Sequence, residues 1–363
     1  MKRLNSIQYG RAIAALLVLY AHAIDLQGFF GPSYQKNFFY LENFGAIGVD
    51  LFFVISGFII AYISKDLSGA RDAADFMKRR MIRIVPFYYI ASAATMIGVL
   101  AAGQHSIPGA SIIKTVTILP LLDKGSEFWQ PVLFLGWTLA FEFFFYLLFY
   151  CIIRRRIQRK EMALLFSLLV LVAAGRLFSF NNIQWRFVTN PVLLEFSAGV
   201  GIAWIYRSGY KVSRRSGQVI TLAALSCMIL LIWKGNIGVS EMDDTVNGSR
   251  SLMRFVFWGI PSALLAGGLV FLERESGGTA FSNKWVLLLG DASYSIYLVH
   301  ILVYRAIYFV LKRFPAMMAT IPGDILIPLY MLTAILVSLG FYRLIEKKIV
   351  DSFLTGRARV RSA

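Results

Sequence analysis

Residues 44–64, with the sequence FGAIGVDLFFVISGFIIAYIS, contain one charged side chain, Asp50, in 21 positions. About 20 consecutive apolar residues form an α-helix long enough to cross the hydrocarbon core of a bilayer. The rest of the chain has a similar composition, because 58% of its 363 residues are hydrophobic and only 16% are charged. This composition predicts a membrane protein and excludes an ordinary soluble domain.

Apolar segments of this length recur along the chain and account for most of it. We predict an all-α, polytopic membrane protein with about ten transmembrane helices, at 12–30, 44–64, 84–102, 132–153, 162–178, 189–206, 217–233, 255–272, 285–311 and 321–342. A further apolar segment, 110–122, is broken by Lys114 and Pro120. It is predicted to be either re-entrant or an interfacial helix.

The distribution of Lys and Arg over alternate loops tests this assignment, since cytoplasmic loops carry an excess of these residues. One side receives 26 of the 37 Lys and Arg residues and the other side 10, with Arg305 inside a span. Both termini are therefore predicted to be cytoplasmic, with a basic tail at 346–363. No soluble basic face with stacking aromatic residues accompanies this charge, so nucleic acid is not an expected partner.

The N-terminal segment also resembles a signal peptide, since basic residues precede an apolar stretch that ends in Ala21-His22-Ala23. Cleavage would leave nine spans and reverse the match between loops and basic residues, so we predict a retained helix. Cys151 and Cys227 both lie in predicted spans, which argues against a disulfide framework. With three histidines in the chain, no metal site is expected.

Ionisable side chains within membrane helices are costly and normally face the interior of the bundle, so they are the first candidates for function. They are Arg11, His22, Asp25, Asp50, Glu142, Glu195, Asp291, His300 and Arg305. Arg11 and His22 are eleven residues apart. This spacing places them within about 20° of the same helix face and about 16 Å apart along the axis. Both are predicted to line one channel, with Arg11 at its cytoplasmic mouth.

Arg79, Arg80 and Arg83 are predicted to lie near the same mouth as Arg11. Fixed cations in front of a deeper histidine suit a polyanionic donor such as acyl-coenzyme A, whose phosphates would bind arginine. A neutral His22 could remove the proton from an acceptor hydroxyl while a carboxylate orients its ring. Composition and spacing alone do not identify the donor as an acyl thioester.

A structural role is open for each of these candidates. His22 and His300 could be packed helix histidines, and Asp50 and Glu142 could pair with Arg or Tyr partners to fix the register of the helices. His105 is predicted to be a solvated loop residue.

Six motifs follow one another along the chain. They are RAIAALLVLYAH at 11–22, GVDLFFVISGF at 48–58, RMIRIVPFY at 80–88, WTLAFEFFFY at 137–146, NPVLLEF at 190–196 and GDASYSIYLVH at 290–300. In this order they resemble the acyltransferase 3 family of membrane O-acyltransferases over nearly the whole chain, and in particular its stand-alone, exopolysaccharide-modifying members. The resemblance implies an acyltransferase 3 transmembrane domain at 1–345.

The resemblance also implies the reaction and its partners. The family takes an acyl group, usually acetyl, from cytoplasmic acyl-coenzyme A and places it on a sugar hydroxyl of a surface glycan. The expected partners are therefore acetyl-coenzyme A or another acyl-coenzyme A as donor substrate, a surface polysaccharide or its lipid-linked precursor, and membrane lipids. No permanently bound cofactor is expected, and the expected location is the bacterial inner membrane.

Residue roles follow from the resemblance together with the intramembrane charges. The predicted residues are His22, Asp50 and Glu142 for catalysis, Arg11, Arg80 and Arg83 for the donor, and Glu195, Trp137 and His300 for the substrate. Trp137, Asn190 and Tyr294 are candidates for stabilising the oxyanion. The family often has proline two residues after the acid of its C-terminal motif. Here Lys348 stands in that place, so no role is assigned to Glu346.

Three alternatives remain open from sequence. His22 could carry the acyl group transiently as an acyl-imidazole instead of acting as a base in direct transfer. The protein could be a transporter or flippase for an acyl donor or a lipid-linked sugar, with the same charges lining its path. It could also be a non-catalytic scaffold of a polysaccharide export complex.

Overall fold

The computed structural model of the chain describes residues 3–30, 44–101, 103, 106–123, 128–210, 212–234, 242–276 and 280–352. Within these ranges the regular structure is entirely helical. The α-helices are α1 (Asn5–Gly28), α2 (Ile47–Ile63), α3 (Ala70–Ala101), α4 (Gly109–Thr117), α5 (Gly136–Arg154), α6 (Lys160–Phe178), α7 (Ile183–Val188), α8 (Leu193–Arg207), α9 (Arg214–Trp233), α10 (Met242–Asn247), α11 (Ser251–Arg254), α12 (Ile260–Ser276), α13 (Lys284–Asp291), α14 (Ser293–Leu311), α15 (Pro315–Thr320) and α16 (Gly323–Phe341). A 3₁₀ turn at Phe44–Ala46 precedes α2, and π-helical turns at Phe255–Gly259 and Tyr342–Glu346 follow α11 and α16.

Ten helical segments in the described part of the chain are long and apolar enough to cross a membrane. They are Asn5–Gly28, Phe44–Ile63, Ala70–Ala101, Gly136–Arg154, Lys160–Phe178, Ile183–Arg207, Arg214–Trp233, Ser251–Ser276, Ser293–Leu311 and Gly323–Ser352. The predicted class, an all-α polytopic membrane protein with ten spans, is confirmed.

The first helix begins seven residues earlier than its predicted span. The carboxylate of Glu273, at the end of α12, accepts hydrogen bonds from the backbone amides of Asn5 and Ser6, both at 2.8 Å, and from the Ser6 hydroxyl at 2.6 Å. The first amides of a helix have no partner within the helix, and this carboxylate supplies one. A distant carboxylate therefore extends α1 into a polar stretch that hydropathy left out.

The predicted span at 285–311 is two helices, α13 and α14, separated at Ala292. Asn283 caps α13, because its side-chain oxygen accepts from the amides of Trp285 and Val286. The membrane-spanning part is therefore α14 alone, and the apolar stretch before it forms a separate two-turn helix.

The segment Phe44–Ile63, which contains α2, is the most enclosed of the spans, with 72% of its apolar window buried against 17% for α6. It packs against α1, α8 and α12. A side chain on Gly57 would overlap the carbonyl oxygen of Phe196, and one on Gly199 would overlap that of Val54. Small residues allow such close approach of membrane helices, and here they bring α2 and α8 together.

Contacts between helix ends support the predicted alternation of the spans. Arg3, before α1, forms an ion pair of 2.7 Å with Asp291 at the end of α13. Arg274, at the end of α12, donates to the carbonyl oxygen of Tyr206 in α8 at 2.9 Å. These four ends belong to the side assigned most of the basic residues, and they lie at one face of the bundle. The cytoplasmic location of this face, and of the termini, stays a prediction.

The apolar segment at 110–122 contains α4, whose nine residues are too few to cross a membrane. Lys114 and Asp123 form a 3.1 Å ion pair in which each side chain is 1% exposed, and the Lys114 ammonium lies 3.9 Å from the ring centroid of Phe128. The segment therefore belongs to the connection between α3 and α5. Phe134 lies near the end of this connection, just before α5, and its ring is 5.6 Å from that of His22.

Lys114 gives this connection a predicted pH dependence. Burial lowers the pKa of Lys114 from its ordinary 10.5 to about 8, although Asp123 opposes the shift. Between these values the unfolded chain binds more protons than the folded one, so the contribution of Lys114 to stability rises as the pH rises through this window. We therefore expect the stability of the wild type, measured relative to that of Lys114→Met by thermal unfolding in detergent, to increase from pH 8 to pH 10. A difference that stays constant would contradict the buried lysine.

Candidate active site

An open cavity of about 800 Å³, including the space at its mouth that is open to solvent, lies between α1, α2, α3, α5 and α14. Its apolar wall comes chiefly from α2. Its polar lining consists of Arg11, Ser56, Arg80, Arg83, Thr138, Glu142, Tyr146, Ser293, Tyr294 and Tyr297. Four of the nine predicted site residues, the three arginines and Glu142, therefore meet in one cavity.

Arg80 and Arg83 are three residues apart on α3, so they lie on the same face of that helix. The Arg80 guanidinium lies 5.6 Å from the ring centroids of Phe76 and Tyr146. Its Nε atom is buried and has no hydrogen-bond partner among the described residues. These rings hold the cation in place without neutralising it.

The cavity arginines are not committed to internal ion pairs. Among the described residues, the ion pairs within 4 Å do not include Arg11, Arg80 or Arg83. Arg11 is only 9% exposed. Buried cations without a bound carboxylate are costly, and a bound anion would offset this cost. The arrangement therefore suits a polyanionic ligand.

Glu142 lies in the same cavity and is held by two hydroxyl groups. Its carboxylate accepts a hydrogen bond of 3.0 Å from Ser56 and another from Tyr146. Tyr146 is one helical turn further along α5, and its ring also contacts Arg80. Glu142 therefore contributes negative charge beside the arginines.

Glu346 is a second acid near the arginines, and sequence analysis gave it no role. It ends the π-helical turn after α16, is 4% exposed and accepts a hydrogen bond from Ser295. Arg11 and Arg83 are among the charges that act on it. The span that contains it continues to Ser352, so the predicted tail boundary at 346 falls inside a helix, and 353–363 lie outside the described residues. An acid within an apolar final span was the signal that could have identified it.

His22 and His300 lie together, just outside the cavity. The Nδ1 atom of His22 is 3.2 Å from Nε2 of His300. Tyr297, which lines the cavity, has its ring centroid 6.3 Å from that of His300 and shares a 2.8 Å hydrogen bond with Thr138. The cavity and the histidine pair are therefore neighbours that share the wall formed by Tyr297. Arg11 lines the cavity, whereas His22 lies beside it, so the predicted channel shared by both residues stays a prediction.

The predicted contact between His22 and a carboxylate is absent among the described residues. The polar neighbours of the ring are the carbonyl oxygen of Val18, at 3.0 Å from Nδ1, and His300. Glu142 binds hydroxyl groups in the cavity, and Asp50 binds Arg254. Asp25, one turn from His22 on α1, is exposed and acts on the ring through its charge without a hydrogen bond to it. The side chain within hydrogen-bond distance of the His22 ring is thus another imidazole.

Asp50 and Arg254 form a buried, bidentate ion pair. Arg254 Nε and Nη2 donate to the two Asp50 oxygens at 2.9 and 2.7 Å, and Asp50 is fully buried. Glu195, also fully buried, lies beside this pair, and its oxygens have no hydrogen-bond partner among the described residues. Neither acid lines the cavity. Both lie in the packing interface between α2, α8 and the π-helical turn. Their predicted catalytic and substrate roles stay predictions without a contact to support them.

Trp137 and Asn190 are placed in packing positions. Trp137 makes edge contacts with Phe53 and Phe141, with ring centroids 6.2 Å apart in both cases, and does not line the cavity. The Asn190 amide donates to the carbonyl oxygens of residues 245 and 246. Of the three oxyanion candidates only Tyr294 reaches the cavity, and its hydroxyl donates to the Ile84 carbonyl at 2.8 Å.

Several polar residues of the cavity were missed because each is ordinary in its own helix. They are Ser56, Thr138, Tyr146, Ser293 and Tyr297. Hydroxyl-bearing residues are frequent in membrane helices, so composition gives no signal for them. Ser293, Tyr297 and His300 do follow the i, i+4, i+7 spacing of one face of α14, and this polar stripe was the available clue.

The fold and this site define the class: an integral membrane protein with an arginine-lined intramembrane cavity beside a pair of histidines. The acyltransferase domain of the acyltransferase 3 family matches residues 4–343. The chain therefore belongs to the acyltransferase 3 family, as its six motifs predicted, and is an acyltransferase.

Individual relatives agree with this assignment. The chain is 34% identical to the exopolysaccharide production protein ExoZ of Rhizobium meliloti over 261 residues, or 70% of this chain and 75% of ExoZ. It is 25% identical to the acyltransferase MdmB of Streptomyces mycarofaciens over 84% of this chain and 79% of MdmB. YrhL of Bacillus subtilis, named as a proposed peptidoglycan O-acetyltransferase, is 26% identical over 74% of this chain and 45% of YrhL. No solved structure matches the chain significantly.

Proposed function

We propose that this acyltransferase moves an acetyl or other acyl group from acyl-coenzyme A to a sugar hydroxyl of an exported polysaccharide or its lipid-linked precursor, in a bacterial inner membrane. The observation that carries the proposal is the cavity with three arginines outside any internal ion pair, next to the His22 ring. The relation to ExoZ supports an exopolysaccharide as the acceptor.

Each part of the donor has a chemical counterpart in this site. The phosphates of coenzyme A would bind Arg11, Arg80 and Arg83, because guanidinium groups form paired hydrogen bonds with phosphate oxygens. The pantetheine arm would follow the apolar wall of α2. The thioester would then lie near Tyr297, beside the histidine pair.

The reaction requires one proton transfer at His22. Its ring would take the proton of the sugar hydroxyl as the oxygen attacks the thioester carbonyl. The carbon–sulfur bond then breaks, and the proton passes from His22 to the departing thiolate. An acyl-imidazole on His22 would divide this transfer into two steps, and ping-pong kinetics would distinguish it from direct transfer.

Substitution of Arg83 tests the donor site. With purified protein in detergent, acetyl-coenzyme A and de-O-acetylated exopolysaccharide, we expect Arg83→Gln to raise the KM for the donor by about 10- to 100-fold, the equivalent of one lost hydrogen bond to a charged group. S-acetylpantetheine lacks the nucleotide phosphates, so its KM should not change. Release of the coenzyme A thiol provides the rate.

Arg79→Gln is the matched control, because Arg79 is exposed and does not line the cavity. Its donor KM should equal that of the wild type. An Arg83→Gln effect that is equal for both donors would contradict phosphate binding by Arg83. Failure of the wild type to transfer acetyl from acetyl-coenzyme A in detergent would contradict the proposed donor and acceptor.

A further inference from the structure

The buried ring of His300 has a defined proton arrangement. Its Nδ1 atom lies 2.8 Å from the carbonyl oxygen of Ile296, which can only accept, so Nδ1 carries the proton. The ring is fully buried and has no carboxylate partner among the described residues, and an isolated buried imidazolium would be costly. In a neutral ring with a protonated Nδ1, the Nε2 atom of His300 is an acceptor.

This arrangement fixes the proton of His22. Its Nδ1 atom faces two acceptors, the Val18 carbonyl oxygen at 3.0 Å and His300 Nε2 at 3.2 Å. Nδ1 must therefore carry the proton and share it between them. The Nε2 atom of His22 keeps its lone pair, and it has no hydrogen-bond partner among the described residues.

We infer that His300 is a positioning residue that holds His22 in the tautomer whose Nε2 atom receives the substrate proton. The inference rests on the proposed function of His22. When Nε2 gains a proton, both hydrogen bonds of Nδ1 persist, so the ring needs no rearrangement during the transfer. His300 thus has the place of the aspartate in a Ser-His-Asp triad, with a neutral acceptor instead of a carboxylate.

Two tyrosines on α14 keep the His300 ring in this orientation. The ring centroid of Tyr304 is 5.7 Å from that of His300, and its hydroxyl donates to the Leu19 carbonyl oxygen at 3.0 Å. Tyr297, three residues before His300 with its ring centroid 6.3 Å away, is tied to Thr138. Both tyrosines are anchored to neighbouring helices, so the imidazole packed against them has little freedom to turn.

Substitutions at His300 test this role through the rate constants. We expect His300→Leu to lower kcat about tenfold or more, because His22 loses its orienting acceptor, while the KM for acetyl-coenzyme A stays within about twofold. His300→Gln, whose amide oxygen can accept from His22 Nδ1, should restore much of the lost kcat. Val303→Ala, which changes a buried apolar side chain of α14 that takes no part in holding the ring, is the control for disturbed packing and should keep the kcat of the wild type.

The outcomes separate this inference from the proposed function. If His22→Ala is inactive but His300→Leu keeps the wild-type kcat, the positioning role is wrong and the proposed function stands. If His22→Ala retains full activity, the proposed function itself fails. A kcat for His300→Gln as low as that for His300→Leu would also contradict an acceptor role.

A spectroscopic measurement decides the matter even if the variants at His300 do not fold. The chain has three histidines, so a ¹⁵N-histidine-labelled sample in lipid nanodiscs gives few resonances, and His105→Gln identifies the third. We expect His22 and His300 both to carry their proton on Nδ1. A proton on Nε2 of His22 would overturn the inference.

Discussion

Replacement of His22 by alanine is expected to remove the O-acetyl groups of the exported polysaccharide, with a fall in transfer rate of about 10³-fold or more. The ring lies beside the arginine cavity, and its Nε2 atom is free to accept a proton. Alanine removes the ring whose Nε2 atom would receive the proton, whereas the cavity residues and the helix packing remain. The measurement is the O-acetyl content of polysaccharide from cells that express either protein.

The experiment must distinguish loss of acyl transfer from loss of the protein itself. Immunoblots should show equal amounts of both proteins in the membrane, and the polymer itself should still be exported. His105→Ala serves as the control histidine, since His105 is predicted to be solvated and lies outside the described residues. An unchanged acetyl content in His22→Ala would contradict the role of His22 as the base, and loss of the polymer would show that the variant disturbs export and not acetylation alone.

Replacement of Arg254 by methionine should prevent accumulation of folded protein. It leaves Asp50, fully buried, without its cation and next to the equally buried Glu195. Loss of one partner of a buried ion pair costs about 3–5 kcal/mol, a large part of the 5–15 kcal/mol that stabilises a typical protein. Membrane levels by immunoblot and thermal unfolding in detergent measure the effect.

Arg250 offers a matched control for this change. It pairs with Asp244 at 3.7 Å, but the two side chains are 62% and 42% exposed. Exposed pairs contribute about 0–1 kcal/mol, so Arg250→Met should behave like the wild type. A normal level of folded Arg254→Met would contradict the buried pair.

The double variant Asp50→Leu/Arg254→Met addresses the predicted catalytic role of Asp50. Apolar replacement of both partners of a buried pair is often tolerated, so folding should recover in part. If transfer activity recovers with folding, the carboxylate of Asp50 takes no part in the reaction. A folded but inactive double variant would return Asp50 to the catalytic site.

The number and type of helices were predictable because lipid imposes a simple rule. Every backbone polar group in a span must be satisfied within its own helix, so length and hydropathy identify the spans. The prediction failed at α1, where a distant residue extended the helix. Glu273 lies 268 positions from Asn5 and adds the first turns of α1. No local window contains such a partner.

The sequence predicted which residues belong to the candidate site better than it predicted the contacts between them. Charged side chains in apolar helices are costly and usually functional, and this rule selected Arg11, Arg80, Arg83 and Glu142. The cavity brings these four residues together. Tyr297 and Thr138 gave no comparable signal, since hydroxyl groups are common in membrane helices. Arg254 was counted only as a basic residue near a span end, although it binds Asp50.

By itself, therefore, the sequence determined that this protein is a ten-span helical membrane protein of the acyltransferase 3 family with His22 and three arginines as its leading candidates. Hydropathy, helical period and ordered motifs are local properties that one chain displays directly. Only the tertiary structure decided that His22 contacts His300, 278 positions away, and that Asp50 contacts Arg254, 204 positions away. Pairing between helices depends on how their faces pack, and helical periodicity reveals which face is polar but not which neighbour it meets.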